Sequence, residues 1–389
     1  MNSLPFLRRG FAALCALAFL SLLAGCAPAQ VGEGQPYFPG PGDDWERKAP
    51  EEVGMDAAKL AAAVEFAQSH ESDIPLDLRA YLESRFTDDP YGKIIGPMKE
   101  RGPTNGMILR HGYIVAEWGD TKRVDMTFSV TKSYLSTLLG VALDQGLVKD
   151  VYDRVGDYVH DGAYDSEHNQ KITWHMTAQQ TSEWEGTLHG KPDVADRRRG
   201  RDRTLQEPGT FWEYNDVRVN RFALSLLHVW KQPLPEVLKE KIMDPIGASR
   251  SWQWLGYDNA DHEIDGRRMR SVAGGGHWGD GLFISSRDHA RFGLLFLRKG
   301  KWEDRQLVSE RWVKGAATPT DIRPNYGYMW WLNTNREEWP NVPEDSFAAL
   351  GGGGNVIWIY PEQDLVVVVR WLDSPAHDEF LQKVVAAVN

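Results

Sequence analysis

Cysteine is almost absent from this sequence, since its 389 residues include only Cys15 and Cys26. Both lie within the first thirty residues, so the rest of the chain has no thiol for a disulfide bond or a cysteine-ligated metal. Basic residues are also fewer than acidic ones, 44 Lys and Arg against 55 Asp and Glu, and the formal net charge is −11. A surface this acidic repels nucleic acid at long range, so we expect no nucleic-acid partner.

The motifs of several common enzyme classes are missing as well. The 11 His do not form H-E-x-x-H, and the sequence has neither a P-loop nor a G-x-S-x-G nucleophile elbow. One G-x-G-x-x-G match occurs at residues 274–279, but no predicted strand precedes it and no helix follows directly. The sequence therefore predicts no metal and no cofactor.

The first thirty residues resemble an export signal. Two arginines precede an apolar run over residues 11–23, which is too short to span a bilayer comfortably. The run ends in the letters LAGC, which resemble a bacterial lipoprotein box with Cys26 as the lipidated residue. We expect a signal peptide over residues 1–25 and a lipidated N-terminus with a flexible Gly- and Pro-rich tether over 26–46. A plain signal peptide with an incidental cysteine is the alternative.

Strand patterns occur at both ends of the remaining chain. Residues 107–110 and 113–117 flank a turn at His111-Gly112, and residues 356–360 and 365–371 flank a second turn, so each pair predicts a hairpin. Capping residues predict helices that begin near Asp56, Ser286 and Ser374.

The middle of the chain has helical patterns and long loops. We therefore predict an α/β (α+β) domain over residues 47–389, with an antiparallel sheet flanked by terminal helices. Its α/β lobe would comprise residues 47–125 and 285–389, and its mostly helical lobe residues 126–284. A groove between the lobes would be the place for an active site.

The strongest candidates for catalytic residues are Ser129 and Lys132. In a helix that runs on from Ser129, Lys132 lies on the same face one turn later, which brings an amine close to a weak hydroxyl nucleophile. Backbone N–H groups at the helix start favour a developing negative charge. By itself an S-x-x-K pattern is not specific, because a capping Ser followed by a solvated Lys gives the same letters.

Two later segments make the pattern specific. Tyr214 lies with Asn215 and Asp216 after a Pro-Gly turn, and four glycines, residues 351–354, precede the second strand pair. Together these segments resemble the serine β-lactamase and penicillin-binding-protein superfamily, specifically its class C-type esterases, peptidases and lactamases. The resemblance covers about residues 50–389 in the right order. It implies a β-lactamase/transpeptidase-like fold.

The resemblance also implies roles for matching positions. Ser129 would be the acylated nucleophile, Lys132 its proton-handling partner and Tyr214 the tyrosine that moves protons. Backbone N–H groups of Ser129 and Gly352 would form the oxyanion hole.

Two departures from the family pattern affect the expected activity. Asp216 replaces an Asn, and if it faces Lys132 it would keep that amine protonated and pass the role of base to Tyr214. Ala349 and Leu350 precede Gly351 where a cation is usual in the family, which favours esters and uncharged amides over substrates bound through a carboxylate.

The remaining polar and aromatic features are less specific. His277 either lines the groove or bonds to backbone in a loop, and the arginines at 197–199 and 201 form either a solvated loop or a patch for an anionic partner. We expect some of four tryptophans near the motifs to be groove walls and about half to be core: Trp184, Trp212, Trp254 and Trp278.

The sequence as a whole predicts an exported, membrane-anchored serine hydrolase on the periplasmic face, in the outer membrane if the cell has one. It would be a monomer that acts on a small ester, amide or peptide-like substrate. A cell-wall D,D-peptidase or class C-type β-lactamase is one alternative. A catalytically silent binding lipoprotein of the same fold is the other.

Overall fold

A six-stranded antiparallel sheet lies at the centre of the computed structural model, which describes residues 36–389. Its strand order is β12-β13-β14-β15-β1-β2, so strands from both ends of the chain pair directly. The described residues contain these strands: β1 (Asn105–Arg110), β2 (Tyr113–Trp118), β3 (Asp125–Met126), β4 (Thr187–Leu188), β5 (Lys191–Pro192), β6 (Gln253–Leu255), β7 (Asp261–Ile264), β8 (Arg267–Arg270), β9 (Gly281–Ile284), β10 (Lys301–Trp302), β11 (Arg305–Gln306), β12 (Trp331–Leu332), β13 (Phe347–Gly351), β14 (Asn355–Tyr360) and β15 (Leu365–Arg370).

Helices cover both faces of this sheet and build the middle of the chain. Those in the described residues are α1 (Ala57–Ser69), α2 (Leu78–Arg85), α3 (Thr131–Asp144), α4 (Trp174–Ala178), α5 (Asp216–Trp230), α6 (Leu234–Leu238), α7 (Ser286–Leu297), α8 (Glu310–Ala316) and α9 (His377–Ala386). Capping side chains explain several starts, because Asp56 accepts a hydrogen bond from the N–H of Lys59 and Ser285 accepts one from the N–H of Asp288. Each helix in residues 36–389 is too short or too polar to span a bilayer.

The alternation of side chains along the strands gives the sheet two buried faces. In β1, Met107 and Leu109 join the core shared with α3, α5 and α7, while Ile108 points into a second core shared with α1 and α9. The valines of β15 divide in the same way, with Val366 and Val368 on the first face. This double burial confirms the predicted antiparallel sheet flanked by terminal helices.

The segment over residues 126–284 contains more strand than the sequence indicated. Besides helices α3 to α6, it contains the short strands β4 to β9, and β9 pairs with both β3 and β6 in a second sheet. The β4–β5 and β7–β8 hairpins turn at His189-Gly190 and Asp265-Gly266, where all four residues have positive φ. Such short hairpins have too few residues for a clear hydrophobic alternation. The division into two lobes stays a prediction.

Two local predictions need correction. The last helix does not begin with Ser374 as its cap, because a 3₁₀ turn over Ser374–Ala376 precedes α9. The predicted tether is also too long, since residues 36–46 pack against the body. Trp45 is buried, and the guanidinium of Arg291 donates to the carbonyls of Gly40 and Gly42 at 2.6 and 2.7 Å. The predicted signal peptide and Cys26 lie outside the described residues.

Candidate active site

Ser129 lies in a 3₁₀ turn, Phe128–Val130, that leads directly into α3. Phe128 has φ +49°, an unusual left-handed conformation for a bulky residue, and this sharp entry leaves Ser129 half-buried at the wall of a cavity. Lys132 follows within the first turn of α3 and is fully buried. Its Nζ donates a hydrogen bond to Ser129 Oγ at 2.8 Å, so the two residues singled out in the sequence are in contact.

The cavity in front of Ser129 has a volume of about 560 Å³. It is large enough for a small substrate, and its walls come from α2, the α3 entry, the loop before α5, the 274–279 segment and the end of β13. The walls are mostly aromatic and apolar with several charged side chains: Ile74, Tyr81, Leu82, Arg85, Phe86, Phe128, Ser129, Arg198, Arg199, Trp212, Glu213, Tyr214, Asp216, Gly275, His277, Trp331, Leu350, Gly351, Gly352 and Gly353.

The end of β13 packs closely against the turn that holds Ser129. A Cβ on Gly351 would lie 2.2 Å from the carbonyl oxygen of Thr127 and 3.2 Å from the backbone nitrogen of Ser129. Only glycine allows this approach, which brings the backbone of the next residue, Gly352, to the same cavity wall as Ser129. The two predicted oxyanion-hole residues therefore line one wall together.

The strand just before these glycines carries no cation. Ala349 is fully buried in the core, and Leu350 presents an apolar side chain to the cavity. The wall at this point is accordingly apolar, as the sequence indicated.

Tyr214 lies on another wall within an aromatic cluster that also contains Trp212, Tyr326 and Trp331. Its ring lies between two cations: Lys132 Nζ is 4.8 Å from the ring centroid and Arg198 Cζ is 4.6 Å from it. Within residues 36–389, the Tyr214 hydroxyl makes no side-chain hydrogen bond. Both contacts are cation–π contacts, so Tyr214 connects the Lys132 side of the site to Arg198.

Asp216 is the first residue of α5, and its carboxylate faces Lys132. Oδ1 lies 2.5 Å from Lys132 Nζ, and both side chains are almost fully buried. Burial raises the pKa of Asp216, but the charges of Lys132, His277 and Arg198 outweigh burial and hold it well below its ordinary value. Burial likewise lowers the pKa of Lys132, and the Asp216 carboxylate more than reverses this, so Lys132 is an ammonium at neutral pH.

A second carboxylate, Asp196, extends this ionic cluster. Asp196 accepts the backbone N–H of Asp216 at 2.7 Å, and Arg198 bridges the two carboxylates with contacts of 3.1 Å to each. Burial raises the pKa of Asp196, and Asp216 adds to the increase against the attraction of His277. Burial lowers the pKa of Arg198, but the two carboxylates outweigh burial and raise it.

His277 also reaches this cluster. Its Nδ1 lies 3.4 Å from Asp216 Oδ2, and its ring stacks on Phe86 at the cavity wall with centroids 5.0 Å apart. Of the two readings left open by the sequence, the geometry favours the groove over a backbone-bonded loop.

Asn215 does not reach the cavity. Its side-chain oxygen accepts the N–H of Arg218 at 3.1 Å and thereby caps α5, while its amide donates to the carbonyl of Asp193 at 2.8 Å. Asn215 therefore positions the residues around it and does not face a substrate. Of the four tryptophans singled out in the sequence, Trp212 lines the cavity, whereas the other three are buried in the main core.

The solvated-loop interpretation of the arginine run is wrong for three of its four members. Arg197 is buried against Asp193, with Nη2 and Oδ2 2.6 Å apart, and Arg201 pairs with Asp89 at 2.5 Å. Arg198 joins the site through Asp196 and Asp216, and of the four only Arg199 is exposed without such a partner among residues 36–389. Arg198 and Asp196 were missed because nothing in the local pattern shows which residues of a long loop turn inward.

The donor set around Asp216 does not favour a divalent cation. Ligand-type atoms of Asp196, Asp216 and His277 lie within 4.8 Å of one another. Lys132 and Arg198 already neutralise these carboxylates, so a metal ion would have to displace or repel two cations, of which Lys132 is buried.

Several solved structures have a similar fold. A Caulobacter crescentus penicillin-binding protein homologue is 14% identical with a TM-score of 0.58, and the match covers 86% of this chain and 99% of that one. A family VIII carboxylesterase is 15% identical over 86% and 99% of the two chains, with a TM-score of 0.55. A Bacillus anthracis protein, provisionally named a 6-aminohexanoate-dimer hydrolase, is 16% identical over 82% of each chain, with a TM-score of 0.53.

At these identities the structural matches show a shared fold. No curated protein sequence matches the chain. The family model named Beta-lactamase, in contrast, matches residues 109–382, which is more than half of the sequence and includes Ser129, Lys132, Tyr214 and the glycine run. The chain therefore belongs to the Beta-lactamase family of serine hydrolases.

Proposed function

We propose that this protein cleaves a carboxylic ester or a small amide through an acyl-enzyme on Ser129. The observation that carries the proposal is the contact between Ser129 Oγ and the Lys132 ammonium at the wall of a substrate-sized cavity. Because Lys132 donates to Oγ, the hydroxyl proton of Ser129 is free to leave toward another acceptor. Tyr214, whose ring lies between Lys132 and Arg198 on the cavity wall, is the base that this site supports best.

The reaction then proceeds in two steps, acylation of Ser129 and hydrolysis of the acyl-enzyme. Ser129 gives its proton to the Tyr214 phenolate while Oγ attacks the carbonyl carbon, and the backbone N–H groups of Ser129 and Gly352 stabilise the oxyanion. The bond to the leaving group breaks as Tyr214 returns the proton to that group. Water attacks the acyl-enzyme, gives a proton to Tyr214, and the same proton returns to Ser129 as the acid product departs.

Esters and small amides are the preferred substrate classes because Ala349 and Leu350 leave the β13 wall without a cation. The names of the carboxylesterase and 6-aminohexanoate-dimer hydrolase neighbours are compatible with either bond type. A D,D-peptidase or β-lactamase would need its substrate carboxylate to be bound by other residues.

A substrate panel tests the proposal on the purified protein. We expect turnover of 4-nitrophenyl esters or short linear amides to exceed that of a chromogenic cephalosporin. Ser129→Ala should lower ester turnover by at least about a thousandfold. The matched control Ser69→Ala, at an exposed position at the end of α1, should leave it unchanged. Faster turnover of the cephalosporin would favour the lactamase alternative.

One observation favours a second candidate, a binding protein without catalysis. The pairing of Lys132 with Asp216 removes the free amine that family members could use as a base. A folded protein that hydrolyses no member of the panel would support this candidate.

We also propose export and lipid anchoring at Cys26, on the basis of the apolar run and the LAGC letters that precede the body of the chain. Cells that express the protein with radiolabelled palmitate should yield a labelled protein in the membrane fraction. Cys26→Ala should abolish the label, and a labelled variant would contradict the proposal. Light scattering of the lipid-free protein checks the expected monomer.

A further inference from the structure

Two arginines on the cavity wall have no acidic partner in the described part of the chain. Arg85 is the last residue of α2, Arg199 lies in the loop before α5, and both side chains are exposed and line the cavity that holds Ser129. Within residues 36–389 neither guanidinium forms an ion pair. The arginines around them differ, because Arg79 pairs with Glu83 and Arg201 pairs with Asp89.

Aromatic side chains restrict where these guanidinium groups can lie. Arg199 Cζ is 5.5 Å from the ring centroid of Phe211 and 5.4 Å from that of Trp212. Arg85 Nη1 donates to the hydroxyl of Tyr81 at 3.3 Å. An arginine held by its face against an aromatic ring keeps its N–H edges available, and those edges match the geometry of a carboxylate.

The carboxylates that line the cavity do not neutralise this pair. Asp216 is compensated by Lys132 and Arg198, and Glu213 forms an ion pair with Arg203 at 2.9 Å. Arg85 and Arg199 therefore add uncompensated positive charge to a cavity with largely apolar walls, in a protein whose formal net charge is −11. Charge of one sign in a cleft with low-dielectric walls attracts ligands of the opposite sign.

We propose that Arg85 and Arg199 form an anion subsite that selects esters or amides with a carboxylate on the acyl or leaving part. The inference rests on the proposed hydrolase function and specifies its substrate class. The sequence alone favoured uncharged substrates because no cation precedes Gly351. The two arginines would supply the missing positive charge from other walls of the cavity. In this protein the substrate carboxylate is bound at α2 and the loop before α5, away from β13.

A matched pair of esters tests the subsite in the purified protein. The anionic probe is mono-4-nitrophenyl glutarate and the neutral probe is its methyl ester. We expect kcat/KM to be about tenfold higher for the anionic ester. Arg199→Ala and Arg85→Ala should each reduce this preference, mainly through KM, and the double variant should bring the ratio to about one. Arg305→Ala, at an exposed position in β11, is the control that should keep the preference.

Binding separates failure of the subsite from failure of the proposed function. In the Ser129→Ala background, calorimetry should show the anionic ester binding more tightly than the neutral one. The difference should shrink with Arg199→Ala and vanish when Arg85→Ala is added. That result supports the subsite even if no hydrolysis is observed. Equal affinities, or a preference that survives removal of both arginines, would overturn the inference while leaving hydrolysis of neutral esters intact.

Discussion

The Asp216 carboxylate lies 2.5 Å from the Lys132 ammonium and separates this site from one in which the lysine is a free amine. Both side chains are almost fully buried, so neither charge is solvated by water. Each charge therefore depends on the other, and the protonation of Lys132 is set by residue 216. The proposed role of Tyr214 as base depends on this pairing.

Asp216→Asn should change the pH dependence of the reaction. The variant loses the carboxylate that raises the pKa of Lys132 while burial, which lowers it, remains. The amine then releases its proton at a lower pH than in the parent protein, and a Lys132 titration enters the kcat/KM profile within the pH range in which the protein is folded.

Ester hydrolysis measured across that range checks the prediction. Asp89→Asn is the matched control, because Asp89 pairs with Arg201 outside the Lys132 cluster. Superimposable profiles for the parent protein and Asp216→Asn would contradict the account.

Gly351→Ala should lower kcat by about a hundredfold or more, because the new methyl group would push the end of β13 away from the Ser129 turn. Gly352→Ala should lower kcat by less than about tenfold. The added Cβ would lie 3.5 Å from the Phe128 ring, which is an ordinary van der Waals distance, and the backbone N–H remains. Steady-state ester kinetics with circular dichroism as a folding control measures both effects. The reverse order of severity would be inconsistent with the predicted oxyanion hole.

Glu183→Gln should lower the free energy of unfolding at neutral pH and make it less dependent on pH in the acid range. Burial raises the pKa of Glu183, but hydrogen bonds from Arg203 and the charge of Arg218 outweigh burial and lower it to about 2. A depressed pKa gives stability that is present above the unfolded value and is lost as pH falls through the folded value. Between about pH 4.5 and 2, the parent protein should therefore lose about 3 kcal/mol of its free energy of unfolding through protonation of Glu183.

Denaturant unfolding at several pH values tests this linkage. The exposed neighbour Glu185→Gln is the control and should behave like the parent protein. Equal pH dependence in the parent protein and Glu183→Gln would show that Glu183 does not carry the effect.

Asp280→Asn should stabilise the protein at alkaline pH. Burial raises the pKa of Asp280 to about 8, and both carboxylate oxygens lack a hydrogen-bond partner within residues 36–389. A raised carboxyl pKa gives stability that is present at low pH and is lost as pH rises from the ordinary value through 8. Asn carries no charge and tolerates the left-handed backbone at φ +65°.

Thermal unfolding at pH 4 and pH 8 measures the effect. The gain in Tm for Asp280→Asn should be about 5 °C at pH 8 and smaller at pH 4. The exposed Asp304→Asn should show no gain at either pH. A gain of equal size at both pH values would contradict the titration of Asp280.

The parts of the fold that the sequence predicted are those set by local pattern. The short apolar runs at residues 107–110 and 365–371, each beside a turn, placed two strands of the main sheet correctly. The spacing of Ser129 and Lys132 predicted their contact, because one helical turn fixes it.

The parts that were missed depend on contacts between distant segments. Arg198 lies in an irregular loop, and its inward orientation is set by Asp196 and by Asp216 on α5. The packing of residues 36–46 depends on Arg291, about 250 residues away, whose side chain binds three of their carbonyls. The local sequence pattern of a Gly- and Pro-rich segment does not predict a contact with so distant a residue.

The most direct measurement is intact-mass analysis of the purified protein after treatment with a fluorophosphonate, which reacts with activated serines. The account predicts a single covalent adduct on the parent protein and on Ser69→Ala, and no adduct on Ser129→Ala. A folded parent protein that forms no adduct, or a Ser129→Ala variant that still forms one, would contradict the assignment of Ser129 as the nucleophile.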